Sequence, residues 1–180
     1  MSTEGLNLTV LLITIIAPVG AFDVLYYHIY KFRLAQRPDS RAETRTHIVR
    51  SLTLGALVLV ITLYRPTGLW FWAVAALFVL DFANNAVDAF LERDSRADLG
   101  GLPRVEYVIH IAGATFMGAV ALSFVARGWS LGGLETSLAP RLVEVPAPMK
   151  MNAVAIGLGA LALAAYEALA MAASARRRRT

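Results

Sequence analysis

Two Glu-x-x-x-His pairs, Glu43 with His47 and Glu106 with His110, open apolar segments of the chain, and a stripe of Asp81, Asn85, Asp88 and Glu92 closes another. Asp23 and His28 stand near the end of the first. Crowded carboxylates repel one another and take up protons unless positive charge neutralises them, and a bound divalent ion is the strongest local source of that charge. The chain has no cysteine, so thiolate ligation is excluded. A mixed imidazole and carboxylate set suits iron, zinc or manganese rather than copper(I). The candidate ligands are Asp23, His28, Glu43, His47, Asp81, Asp88, Glu106 and His110, enough for two ions.

These residues share faces if their segments are helical. At about 100° per residue, Glu43 and His47 lie about 40° apart with Arg50 on the same face, and Asp81, Asn85, Asp88 and Glu92 form one stripe with Asn84 at its edge. Glu106 and His110 pair in the same way. Asp23 and His28 do not: five residues place them about 140° apart on an α-helix, so both reach one centre only if the helix is distorted. In design the set resembles carboxylate-bridged di-metal four-helix bundles, with Glu-x-x-x-His in place of Glu-x-x-His.

The elements that must position them are membrane spans. The chain is 57% hydrophobic and 17% charged, and its apolar runs approach the roughly 20 residues that cross a bilayer. The expected spans are 6–32, 48–64, 69–91, 105–125 and 151–173, an all-α, polytopic five-helix, up-down bundle forming one domain. Val19, Gly20 and Ala21 resemble a signal-cleavage site, but no positive charge precedes them. A retained helix kinked at Pro18 and Gly20 is expected.

Lys31, Arg33, Arg37, Arg41 and Arg45 crowd the link after the first span, Arg93, Arg96 and Arg104 the link after the third, and Arg176 to Arg179 the end. Arg65, Arg127, Arg141 and Lys150 are the basic residues of the other side. The positive-inside rule then puts the amino terminus outside and the carboxyl terminus in the cytoplasm of a cell or inner-membrane protein. All the candidate ligands, and Glu167 with them, fall in the cytoplasmic half.

An ionisable group within a bilayer is a functional hypothesis by default. The favoured reading is a di-metal enzyme acting on a lipid or quinone-like substrate at the cytoplasmic leaflet, with oxidation ahead of hydrolysis. Arg50 is expected to hold an anionic substrate group, and Tyr27 to relay an electron or donate a hydrogen bond, although Tyr26, Tyr27 and Tyr30 also suit an aromatic belt. Competing readings are a proton-coupled cation transporter, a b-haem carrier using His47 and His110, and buried ion pairs, such as Arg50 with Asp81 or Asp88, that hold no metal. Expected partners are membrane lipids and a lipid-like or anionic small molecule. Basic residues confined to span ends argue against nucleic acid. Glu92, Asp94 and Asp98 are expected at the surface. The segment 127–150, with Trp129, Leu131, Leu134, Leu138, Leu142 and Val143, reads either as an interfacial segment lying along the membrane or as a connecting loop.

Overall fold

The structure is a computed structural model that describes residues 3–141 and 145–177. Helix α1 (Thr3–Phe22) runs without a break into a π-helix (Asp23–Lys31), followed by α2 (Arg41–Leu63), α3 (Leu69–Ser95), α4 (Arg104–Gly128) and α5 (Ala147–Arg176). Five helical stretches are long and apolar enough to cross a membrane. Helix α2 begins at Arg41 rather than at residue 48, and α3 continues to Ser95 rather than ending at 91. Glu43, Thr44, Thr46 and His47 are buried against other helices, so their polarity does not end the helix. Windowed hydropathy mistakes such inward-facing polar turns for loop.

The chain is not purely α-helical. Strands β1 (Tyr64–Thr67) and β2 (Ser137–Pro140) form an antiparallel pair, with Tyr64 opposite Pro140 and Thr67 opposite Ser137. Each is an edge strand, which is where Pro66 and Pro140 are tolerated. Gly68 ends β1 at φ 57°, where a Cβ would meet the Thr136 hydroxyl at 2.5 Å. Its amide donates to the Leu131 carbonyl, 2.9 Å away. The segment after α4 is therefore folded back onto the α2–α3 turn instead of lying flat, and Leu131 is buried. Trp129 stays exposed, edge-on to Trp72 at 5.1 Å. Leu142 and Val143 lie outside the described residues.

Below this cap the core is apolar and aromatic. Phe71 stacks on Phe124 at 5.1 Å, Phe124 meets Phe78 at 5.8 Å, and Leu57 and Ile61 of α2 complete the cluster. Helix α5 packs most extensively on α2. Gly55 and Gly157 make that possible: a Cβ on Gly157 would lie 2.7 Å from Leu59, and one on Gly55 would lie 2.7 Å from Leu161. Ala153, Gly157, Ala164 and Glu167 are the buried stripe of α5.

The exposure pattern is inverted relative to a water-soluble bundle. Phe90 is 82% exposed and Leu169 71%, while Glu43, Arg96 and Glu106 are 0% exposed. Large apolar side chains face outward on every helix, and a cluster of charged side chains is buried inside.

Candidate metal centre

The centre is assembled at the end of the helices opposite the β1–β2 cap. The π-helix supplies Asp23 and His28. Its hydrogen bonds run to the fifth residue, as where the Phe32 amide donates to the Tyr27 carbonyl at 2.9 Å, so residues five apart come one above the other. This is the distortion that the spacing of Asp23 and His28 requires. The carboxylate of Asp23 lies 3.8 Å from His28 Nε2 and 3.1 Å from His110 Nε2. Pro18 lies inside α1 without ending it.

Three overlapping groups of donor atoms result, each within 4.8 Å: Asp23, His28, Glu106 and His110; His28, Glu43 and His47; and His47, Asp88 and Glu92. Seven of the eight expected ligands are in these groups. Asp81 is not; it is buried on the wall of an adjoining cavity. Glu92 replaces it, and is buried rather than surface-exposed, with Oε1 2.9 Å from His110 Nδ1. Asp94 and Asp98 are exposed as expected. Glu167 is buried within electrostatic reach of His47 and Asp88 but belongs to no donor group.

Three residues of the centre, Arg96, Thr46 and Ser95, are not anticipated from sequence. Arg96 is fully buried, and its Nη2 donates to Glu43 Oε1 at 2.8 Å and to Glu106 Oε1 at 2.7 Å. Its guanidinium lies 4.8 Å over the Phe32 ring. Burial disfavours its charge, but Glu43 and Glu106 more than offset this and raise its pKa, so it stays cationic. As a loop arginine it reads as a topology signal. Yet Arg96 follows Glu92 by four residues and so continues the Asp81–Asn85–Asp88–Glu92 stripe, the periodicity that could have found it. Thr46 and Ser95 are also part of the centre, donating hydroxyl hydrogen bonds to Asp88 and Glu43 respectively.

The buried charge at this end is mostly carboxylate. Seven buried carboxylates among the described residues, Asp23, Glu43, Asp81, Asp88, Glu92, Glu106 and Glu167, face the buried Arg96 and the half-buried Arg50. Several polar atoms also lack a hydrogen-bond partner, among them His28 Nδ1, His47 Nε2, Asp23 Oδ1 and Glu106 Oε2. The carboxylate of Asp88 lies 3.2 Å from His47 Nε2 but out of line for a hydrogen bond. Buried polar atoms are nearly always satisfied, and orphans clustered in one place ask for an ion or water. Buried His, Asp and Glu groups that can hold a metal ion are therefore present.

Arg50 donates to the Asn85 side chain and lines the cavity, whereas Arg45 is exposed. Tyr27 is buried in an aromatic cluster, edge-on to Tyr26 at 4.9 Å and stacked on Phe32 at 6.2 Å, and is not on the cavity wall.

Comparison with protein-family models, curated proteins and solved structures returned no match. The geometry alone carries the functional argument.

Proposed function

We propose that this chain is a membrane-embedded, metal-dependent enzyme that holds two divalent ions and acts on a lipid-like substrate, by oxidation rather than hydrolysis. The observation that carries the reading is a cavity of about 430 Å³, mostly apolar, whose polar lining includes Asp23, His47 and His110. That volume falls in the roughly 300–1,000 Å³ range of small-molecule sites. A purely structural metal site is closed, whereas a catalytic one keeps an approach for substrate. Here donors from each of the three groups are reached from one cavity.

The donor grouping supports two ions. Asp23, His28, Glu106 and His110 form one set and His47, Asp88 and Glu92 the other, and no residue is common to both. They adjoin through the His28 and His47 rings, whose centroids are 4.1 Å apart, and through the Glu92–His110 contact. The remaining carboxylate of the middle group, Glu43, is held by Arg96 and Ser95. Such a pair of iron ions would supply oxidation with dioxygen as the electron acceptor, and zinc would supply an activated water. The apolar wall suits hydrocarbon beside the donors better than water, which favours oxidation.

Two competing readings fit less well. Beyond the cavity lies a cluster that includes Phe71, Phe78, Phe124, Leu57 and Ile61, and it offers no ionisable side chain to a transported cation. A haem iron needs the Nε2 of each axial histidine clear, but His110 Nε2 faces Asp23 at 3.1 Å.

The outward apolar and inward charged side chains support a multi-pass, up-down arrangement in the cell (inner) membrane. By the positive-inside rule the centre lies in the cytoplasmic half. The absence of native cysteine makes this testable: Asp98→Cys and Glu135→Cys, both exposed, should label from the cytoplasmic and external faces respectively with an impermeant thiol reagent. Labelling of both from one face would overturn the topology.

The function itself is tested by elemental analysis, visible absorption and oxygen uptake on detergent-purified protein across a lipid panel. Near-stoichiometric iron and lipid-dependent oxygen uptake are expected. Metal-loaded protein that consumes no oxygen and cleaves no ester while carrying divalent cations into liposomes would replace the enzyme by a transporter, and protein without bound metal would leave only a network of buried ion pairs.

A further inference from the structure

Two features of the cavity are not used by the metal centre: an opening on one side, and a second pair of polar groups. The opening is a groove lined by Leu25, Ile29, Gly159, Leu163 and Tyr166, which shares Leu25, Gly159 and Leu163 with the cavity. Leu25 is 56% exposed and Tyr166 46%, so the groove faces outward along the apolar surface. It exists because α5 uses opposite faces differently. Gly157 nests against α2, whereas a Cβ built on Gly159 would meet nothing within 4 Å, and the same is true of Gly20 across the cavity in α1.

The polar pair is Arg50 and Asp81. The side chain of Asp81 is buried, belongs to no metal-donor group and has no partner for Oδ1. Arg50 is anchored on Asn85, one helical turn from Asp81 on the same face of α3. The wall thus presents one cationic donor and one anionic acceptor side by side, without net charge. An anionic head would be drawn to Arg50 and repelled by Asp81. A hydroxyl satisfies both, donating to Asp81 and accepting from Arg50. Arg50 follows His47 by three residues on α2, which puts that hydroxyl next to the metal donors.

We propose that the cavity binds a single-chain lipid with an uncharged hydroxyl head, a long-chain alcohol or a prenyl-type phenol, which enters sideways from the bilayer between the π-helix and α5 and stops with its hydroxyl between Arg50 and Asp81. The inference deepens the reading of a membrane enzyme given above, but it concerns binding and does not require the metal.

The test is photolabelling in lipid nanodiscs with three probes of equal chain length carrying a chain-end diazirine: a primary alcohol, a carboxylic acid and an alkane. Labelled residues are mapped by mass spectrometry, and metal content is measured separately on the same preparations. The alcohol should label the cavity residues Leu54, Met117 and Ile156. The acid and the alkane should each label them roughly tenfold less, the scale of one or two net hydrogen bonds. Asp81→Asn should reduce labelling by the alcohol several-fold. Gly159→Trp should abolish cavity labelling by filling the shared wall, with metal content unchanged; Ile29→Trp, in the groove but outside the cavity, gives the same readout if Gly159→Trp does not fold. Undiminished cavity labelling in a folded groove variant overturns the lateral route, and equal labelling by the three probes overturns the hydroxyl site. Protein that contains no metal but still labels selectively with the alcohol would sink the metal reading and leave this one standing.

Discussion

Replacing Arg96 with Met should destabilise the protein by about 3–5 kcal/mol, the scale on which breaking a buried ion pair exceeds the modest net value of making one. The reason is what it leaves behind. Glu43 and Glu106 are both fully buried, and Arg96 donates to each, at 2.8 and 2.7 Å. Without it, two carboxylates from different helices face each other across a dry space, and one must be protonated or the helix ends must part. Arg96→Lys should recover only part of the loss, because an ammonium on a flexible stem cannot reproduce a fork that engages Glu43 through both Nε and Nη2 while reaching Glu106. Thermal unfolding in a fixed detergent measures both variants. A loss below about 1 kcal/mol for Arg96→Met, the range of an exposed pair, would mean that this guanidinium does not hold the centre together.

Changing His28 to Ala should sharply lower metal content. His28 is 2% exposed and belongs to two of the three donor groups, and its ring is 4.1 Å from that of His47. Its loss removes a ligand from the Asp23–Glu106–His110 set and the ring that adjoins the second set. Bound metal should fall from about two ions per chain to below one. Thermal stability should fall with it, since an ion that binds only the folded state adds its binding free energy to folding. Asp94→Ala, at an exposed position near the same end of α3, provides the comparison and should keep full metal. Elemental analysis with unfolding midpoints before and after chelation decides the matter. Unchanged metal in His28→Ala, or an unfolding midpoint of the parent protein that chelation leaves untouched, would return the cluster to a metal-free ion-pair network.

The centre also bears on why such a bundle tolerates so much buried charge. Several carboxylates are placed beside a cation, a hydroxyl or an imidazole drawn from a different segment: Glu43 of α2 on Arg96, Asp88 of α3 on Thr46, Asp23 of the π-helix on His110 of α4. The helices are thereby cross-linked at one end by polar contacts, while at the other they are held by stacked phenylalanines and the β1–β2 cap.

The sequence by itself determined the helix count and the end of the bundle at which the ionisable residues gather. Hydropathy depends on local composition, and periodic spacing fixes which residues share a face before any neighbour is present. Seven of the donor residues follow from those two signals. What it could not determine depends on partners distant in the chain. Arg96 and Glu92 are charged residues next to a loop, and only the approach of α2, the π-helix and α4 encloses them. Asp81 lies on the same stripe as Asp88, but about two turns deeper it faces the cavity instead of the donor groups. The segment after α4 has the composition of a loop and becomes a strand because β1 offers it a hydrogen-bonding edge. The π-helix is the intermediate case: the five-residue spacing of Asp23 and His28 required a distortion, but its form is decided only where both side chains must reach His110 and Glu106.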